Sequence, residues 1–540
     1  MTNPVVREVE KLREARVART LATQHPDATV TVRVQEEPQE AVECLTEYGC
    51  EEYMIDFEGK LTPYLQPMQV LMELHDAGVV VGEDRYVITR VPSATKENVL
   101  RQIQALLGVM EANAELQKRE PDARGIFEVV HPMTSSPDEL VEFVDRIFYA
   151  RRFAARELDV PLRAGNLRVI PLIEEVPELL SIDEILRGYV QGVREIGVDV
   201  SYVRVFVGRS DPALSYGHMA AVLACKKAIH EVYELSDELG VPMVPIFGGG
   251  CLPFRGHVKP GLEDRYTSEY AGTATFTIQS GYRYDHPKEE AIASIKRTNE
   301  LAANEPLELS DDELEHLLLA TAIFVKHYLS VFYRVIGVIN IVADMLPNTR
   351  DRLARKGPVG YARDIPEPER VGEMCKDLGE VGRELYRELR SMKVEMLPEL
   401  PRAIKFTGAF YTVGMPPELI GTGRGLAEIE SRLGDDALET VLSLYPTLER
   451  DIDFAVDYTF LETAGSVLSS TAVSLVNSDL EYCVEYLDIE PPSDLEYQNL
   501  VHTLEPYLRY VTTHGKPEKE PKQFIREILL EMGRLRGSLG

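Results

Sequence analysis

The chain has 540 residues, 44% of them apolar, so it is long enough for a large core and too apolar to be disordered. Its 58 Lys and Arg face 89 Asp and Glu, a formal charge of −31, which argues against a nucleic-acid partner and requires any anionic substrate to be met by a local cluster of arginine. The six cysteines, Cys44, Cys50, Cys225, Cys251, Cys375 and Cys483, form no CxxC pair and read as reduced thiols of a cytoplasmic protein, not as a disulfide frame or zinc site.

In chain order, residues 5–19 have the pattern of an amphipathic helix and no signal-peptide organisation. Thr23-Gln-His25-Pro26-Asp27 follows as a turn-like stretch in which Pro26 pushes His25 toward extended backbone. A helix is expected at 38–48. Seven short apolar runs then recur between helical patterns, at 52–58, 86–90, 126–131, 169–173, 203–207, 243–247 and 273–278. Most are continuously apolar, as strands buried on both faces are, and their repetition predicts an α/β fold of the TIM-type (β/α)8 barrel class. The weak candidate for an eighth strand is 403–410. The runs end in Glu58, Arg90, His131, Glu174, Asp211 and Arg283, so the strand tips are expected to line one mouth.

The stretch 168–211 is the centre of this pattern. Two apolar runs each stop at a carboxylate, Glu174 and Asp211, with a helix-like segment at 182–196 between them. Acids at strand tips equip a site for a hard divalent cation, and they equally serve as caps of the following helices. After the sixth run comes Phe247-Gly-Gly249-Gly250-Cys-Leu-Pro-Phe-Arg255-Gly, neither a P-loop nor a dinucleotide fingerprint. It reads either as a loop whose backbone N–H groups and Arg255 hold an anion or as a tight turn at the rim.

Beyond about residue 288 the chain is helical and charged, with helices expected at 288–304, 310–346, 368–392 and 426–446. The most apolar part, 321–346, carries Lys326, His327, Arg334 and Asp344 and reads as a buried helix, not a membrane span. Residues 347–368 read as a Pro- and charge-rich loop and 515–523 as a linker before a last helix at 524–536; the Gly- and cation-rich stretch 401–424 suits a loop folding over an anionic ligand, and composition favours the alternative, an ordinary turn between helices. The whole is taken as a single catalytic domain, 1–540, with most barrel strands in 50–287 and a mostly helical remainder in 288–540.

Together, Thr23-Gln-His25-Pro-Asp27, Pro171-Leu-Ile-Glu174, Gly208-Arg-Ser-Asp211, the glycine loop to Arg255, and Arg402-Ala-Ile with Gly421-Thr-Gly resemble phosphoenolpyruvate carboxylases, in particular their short archaeal-type branch, over essentially the whole chain. The resemblance implies conversion of phosphoenolpyruvate and bicarbonate to oxaloacetate and phosphate by a cytoplasmic homotetramer using Mg2+ or Mn2+. It implies His25 and Arg255 as catalytic residues and Glu174 and Asp211 as metal ligands. Arg402 would bind substrate phosphate, with Gly249 and Gly250 in the substrate loop and Arg90 and Arg283 as weaker phosphate ligands. The family's loop histidine and first loop arginine fall near Gly248 and Gly250 and are unfilled. The family tail Arg-Asn-Thr-Gly, tied to aspartate inhibition, is replaced by Arg536-Gly-Ser-Leu-Gly540, so the resemblance leaves aspartate sensitivity open. Two other readings remain: another Mg-dependent barrel lyase or aldolase acting on phosphoenolpyruvate or pyruvate, and a non-enzymatic acidic helical scaffold.

Overall fold

A computed structural model describes residues 17–83, 85–353, 363, 365–392, 397–489, 495–514 and 519–540. Most of the helix expected at 5–19 lies outside these residues. Eight parallel strands close into a barrel in chain order: β1 (Thr20–Thr23), β2 (Glu52–Asp56), β3 (Tyr86–Arg90), β4 (Glu128–His131), β5 (Arg168–Ile173), β6 (Val203–Gly208), β7 (Met243–Gly248) and β8 (Thr275–Ile278). All seven expected runs are strands. The eighth is β1, which pairs with both β2 and β8. Thr-Leu-Ala-Thr has two apolar residues and runs straight into His25-Pro26, so its sequence carries a turn signal and too little pattern for a strand. Segment 403–410 lies instead in the helix Ala403–Thr412, buried almost throughout. An unbroken apolar run has no periodicity to separate helix from strand.

Alternation of side chains along each strand layers the interior. Leu21, Met54, Ile88, Val130, Ile170, Leu172, Phe206 and Ile246 fill the middle. Beneath them the floor is ionic: Arg204 donates to Glu52 at 2.7 and 2.8 Å, to Glu128 at 2.9 Å and to Thr275 at 3.2 Å, all buried. The same parity continued upward brings His25, Arg90, Glu174, Gly208, Gly248, Thr277 and Gln279 to the C-terminal mouth.

The remainder is helical and walls one side of the barrel. Its central element is the helix Asp311–Ala343, opened by a capping box in which Ser310 and Glu313 bond reciprocally. Its length and apolarity alone would suit a membrane span, but 61% of its most apolar window is buried inside the molecule. It packs on His218–Leu239, Ala403–Thr412 and Thr422–Leu433, as a buried helix should. Glycines divide two of the expected helices: Gly379 (φ +69°) opens Gly379–Ser391 after Pro368–Cys375, and Gly434 (φ +91°) separates Thr422–Leu433 from Asp435–Leu444. The last helix, Lys519–Arg536, begins inside the expected linker, whose residues 515–518 lie outside those described.

Candidate active site at the C-terminal mouth of the barrel

A cleft of about 650 Å³ opens over the C-terminal ends of the strands. It is lined by His25, Arg90, Glu174, Asp211, Arg255 and Arg402, six of the nine residues named from sequence. Leu172, Phe206 and Ile404 supply apolar wall. Parity explains which strand tips arrive. Glu174 follows Ile170 and Leu172 inward, whereas His131 alternates outward to bond Thr134 and face Phe143 on a surrounding helix.

Glu174 and Asp211 meet around one cation. Arg363 Nη2 donates to Asp211 Oδ2 at 2.6 Å and to Glu174 Oε2 at 3.2 Å. Glu174 Oε1 accepts from Met133 N at 3.1 Å. Burial raises the Glu174 carboxyl above the usual range, with Arg363 and Arg90 pulling it down and Glu58 and Asp211 pushing it further up. Two hard oxygens, one just past the tip of β5 and one in the first turn of the helix Ser210–Tyr216 that follows β6, thus converge where a positive charge already sits, which fits a divalent ion. Among the described residues no group of three or more His, Cys, Asp or Glu could hold a metal. A divalent ion here would therefore complete its shell with water or substrate oxygens, as Mg2+ commonly does.

His25 places Nδ1 2.6 Å from the Thr23 hydroxyl. Burial, then the positive charges of Arg90, Arg352 and Arg255, hold its pKa well below the usual histidine value, so the ring is neutral. Arg90 is fixed by Asp56, at 2.9 and 3.0 Å, and by Glu58 at 2.8 Å. Although burial works to raise it, Arg90 and Arg352 hold the Asp56 carboxyl well below the carboxylate range. Arg402 anchors at the rim through Gly59 O at 2.5 Å.

Arg255 is 1% exposed and bonds Ser210 Oγ at 3.1 Å, Asp27 Oδ2 at 3.5 Å, Gln279 and Gly540 O. The glycines before it do not form an anion cradle at the positions expected. Gly249 N donates to Thr277 Oγ1 on β8 at 3.0 Å and Gly250 N to Arg255 O within the loop at 2.7 Å, so both N–H groups are engaged by the protein. Gly250 serves packing: a Cβ there would lie 2.7 Å from Arg255 Cζ, so its bare backbone is what lets the guanidinium cross it.

Arg283 also stands apart. It lies in the short helix Ser280–Tyr284 behind β8, is 1% exposed, and donates to Glu40, Thr23 O and Ile278 O at 2.6–3.0 Å. Its position is that of a brace between β1 and β8. Stretch 401–424 is not an open loop over the cleft: after Arg402 it is helix, turn and helix. Arg424 pairs with Asp479 at 2.8 Å, and Gly421 N donates to the same carboxylate at 2.9 Å.

The structure adds Arg209, Arg352 and Arg363 to the cleft. Arg352 and Arg363 come from 347–368, read from sequence only as a charged loop. Cations in that loop of an acidic chain were the available signal. Arg209 is fully buried, with its guanidinium donating to Phe254 O at 3.0 Å and His218 Nδ1 at 3.1 Å. The wall therefore carries six arginines against three carboxylates, Glu58, Glu174 and Asp211, reversing locally the charge of the chain.

A family model described as phosphoenolpyruvate carboxylase matches residues 17–540. A phosphoenolpyruvate carboxylase of Methanopyrus kandleri is 79% identical over 533 residues, covering 98% of this chain and 100% of the relative. One from Methanosarcina acetivorans is 37% identical with the same coverage. Among solved structures, an HpcH/HpaI aldolase/citrate lyase family protein from Burkholderia cenocepacia matches with 15% identity and a TM-score of 0.31, covering 50% of this chain and 91% of that one; nothing about chemistry follows from so loose a likeness.

Proposed function

We propose roles for the mouth residues from one premise: the chain belongs to the phosphoenolpyruvate carboxylase family. Its reaction is the carboxylation of phosphoenolpyruvate with bicarbonate to oxaloacetate and inorganic phosphate. The aldolase-type and scaffold readings are not favoured, since relatives named for the carboxylase align along 98% of the chain.

The observation that carries the assignment is the arginine-lined cleft closing on a neutral histidine in a chain of net charge −31. Arg90, Arg255 and Arg402 hold the phosphoryl group and offset its charge as bicarbonate attacks phosphorus. Glu174 and Asp211 are the residues that would hold Mg2+ or Mn2+, which when bound supplies Lewis-acid stabilisation of the enol oxygen as phosphate departs. With Nδ1 held at the Thr23 hydroxyl, His25 Nε2 takes the carboxyphosphate proton, the C–O bond to phosphate breaks, and CO2 forms beside the enolate carbon that attacks it. Leu172, Phe206 and Ile404 keep water from that carbon, whose protonation would give pyruvate. Six buried, unpaired cysteines support a reducing, cytoplasmic location, and the family's homotetramer completes the proposal.

His25→Asn separates these roles. Oxaloacetate formation is expected to stop while slow, bicarbonate-dependent phosphate release persists, followed by a coupled NADH assay and a phosphate assay. Carboxylation at the parent rate would remove His25 as the base.

A further inference from the structure

The cation that holds Glu174 and Asp211 together is one of the chain's own side chains. The Arg363 side chain is 7% exposed and reaches both carboxylates through the same nitrogen, at 2.6 and 3.2 Å. Glu174 is aimed at it, since its other oxygen is held by the Met133 N–H. Met133 adopts φ +52°, a left-handed conformation uncommon for a side chain of its kind, and such strain persists where the surroundings enforce a pose. The backbone of Arg363 bridges antiparallel to Leu400, two residues before Arg402. Its guanidinium therefore extends from a backbone bridged to the segment that carries another arginine of the mouth.

We propose that Arg363 is an exchangeable counter-ion and a substrate-binding residue: it occupies the carboxylate pair in the metal-free protein, yields it to a divalent ion, and turns its guanidinium to an anionic oxygen of the substrate. This rests on Glu174 and Asp211 being the metal ligands. A guanidinium and a divalent ion cannot occupy the same two oxygens in a dry site, because the two cations repel. Arginine keeps its charge when displaced, and its planar donors match a phosphoryl or carboxylate oxygen. Ion and anion binding then favour each other, and linkage makes that coupling reciprocal.

The test is a titration of Mn2+ into the full chain, following free Mn2+ by electron paramagnetic resonance, with and without inorganic phosphate. Phosphate is expected to tighten Mn2+ binding severalfold in the parent. Arg363→Gln is expected to bind Mn2+ alone about tenfold tighter, having lost the competitor, and to lose the phosphate effect. Arg363→Lys keeps the competing charge, so its affinity for Mn2+ alone stays near the parent's while the phosphate effect shrinks. A folded Arg363→Gln that binds Mn2+ no tighter than the parent overturns the proposal. If that variant does not fold, an undiminished phosphate effect in Arg363→Lys overturns it instead. Asp211→Asn separates the premises: a parent with no Mn2+ site removable by Asp211→Asn ends the metal assignment and this proposal together, whereas a site indifferent to Arg363 ends this proposal alone.

Discussion

Replacing Gly250 by alanine moves Arg255 without touching it chemically. The added Cβ would meet Arg255 Cζ at 2.7 Å and both terminal nitrogens at 2.9 Å, where ordinary contact begins at 3.4 Å. The guanidinium must retreat by the difference, roughly 0.7 Å, which stretches its bonds to Gln279, Asp27 and Gly540 O. Overpacking of this kind costs about 1–3 kcal/mol of stability, which a large domain can absorb. Displacing a charge-stabilising donor by nearly an ångström costs roughly a hundredfold in rate. We therefore expect Gly250→Ala to melt only slightly early and to lose about two orders of magnitude in kcat/KM for phosphoenolpyruvate, measured by oxaloacetate reduction with NADH. Because the effect passes through Arg255, the same substitution in an Arg255→Ala background should be nearly silent. If the two losses multiply, Gly250 acts on the anion through its own backbone, and the packing explanation fails.

Two further predictions concern groups away from the chemistry. Removing the floor cation by Arg204→Met leaves Glu52 and Glu128 buried without their partner, so urea unfolding should show a loss of about 3–5 kcal/mol that Glu52→Gln with Glu128→Gln partly restores; a loss below about 1 kcal/mol would mean the floor admits water. Glu418, under the glycine loop, accepts from Phe254 N at 2.8 Å and Tyr411 Oη at 2.7 Å through one oxygen, and burial pushes its carboxyl up to about 7. The folded chain then keeps a proton that the unfolded chain loses near pH 4.5, so this group's contribution to stability falls as pH rises from 4.5 to 7 and is flat above. Glu418→Gln keeps an acceptor oxygen and removes the titration; its melting temperature should gain on the parent's between pH 5 and 8, and a constant gap would refute the raised pKa.

The legible part of this fold was the part with local cause. Strands β2 to β8 carry short, mostly apolar runs because both faces are covered, and Glu174 and Asp211 stand out because each follows such a run closely. Strand β1 was not legible, since four residues with two apolar members owe their conformation to neighbours on either side. Six of the nine named site residues reach the cleft, while Arg283, Gly249 and Gly250 do not act there as expected. Their residue types are right for binding an anion, but other partners claim their donors: Glu40, 243 positions from Arg283, Thr277, 28 from Gly249, and the Arg255 carbonyl for Gly250. Composition cannot tell an arginine that faces a ligand from one that braces two strands.

Parity separates the strand-end residues. A side chain reaches the mouth when it lies an even number of positions beyond an inward-facing core residue: Arg90 after Ile88, Glu174 after Leu172, Gly208 after Phe206 and Gly248 after Ile246. His131, one residue after Val130, fails the rule and lies outside. The rule also gives two of the glycines their purpose. At Gly208 a Cβ would come within 2.8 Å of Glu174 Cβ, and at Gly248 within 2.8 Å of the Phe206 ring. Bare inward positions on β6 and β7 thus leave the space that Glu174 and the Phe206 ring occupy, as Gly250 in the following loop does for Arg255. The charge pattern of the site depends on where side chains are missing as much as on where arginines stand.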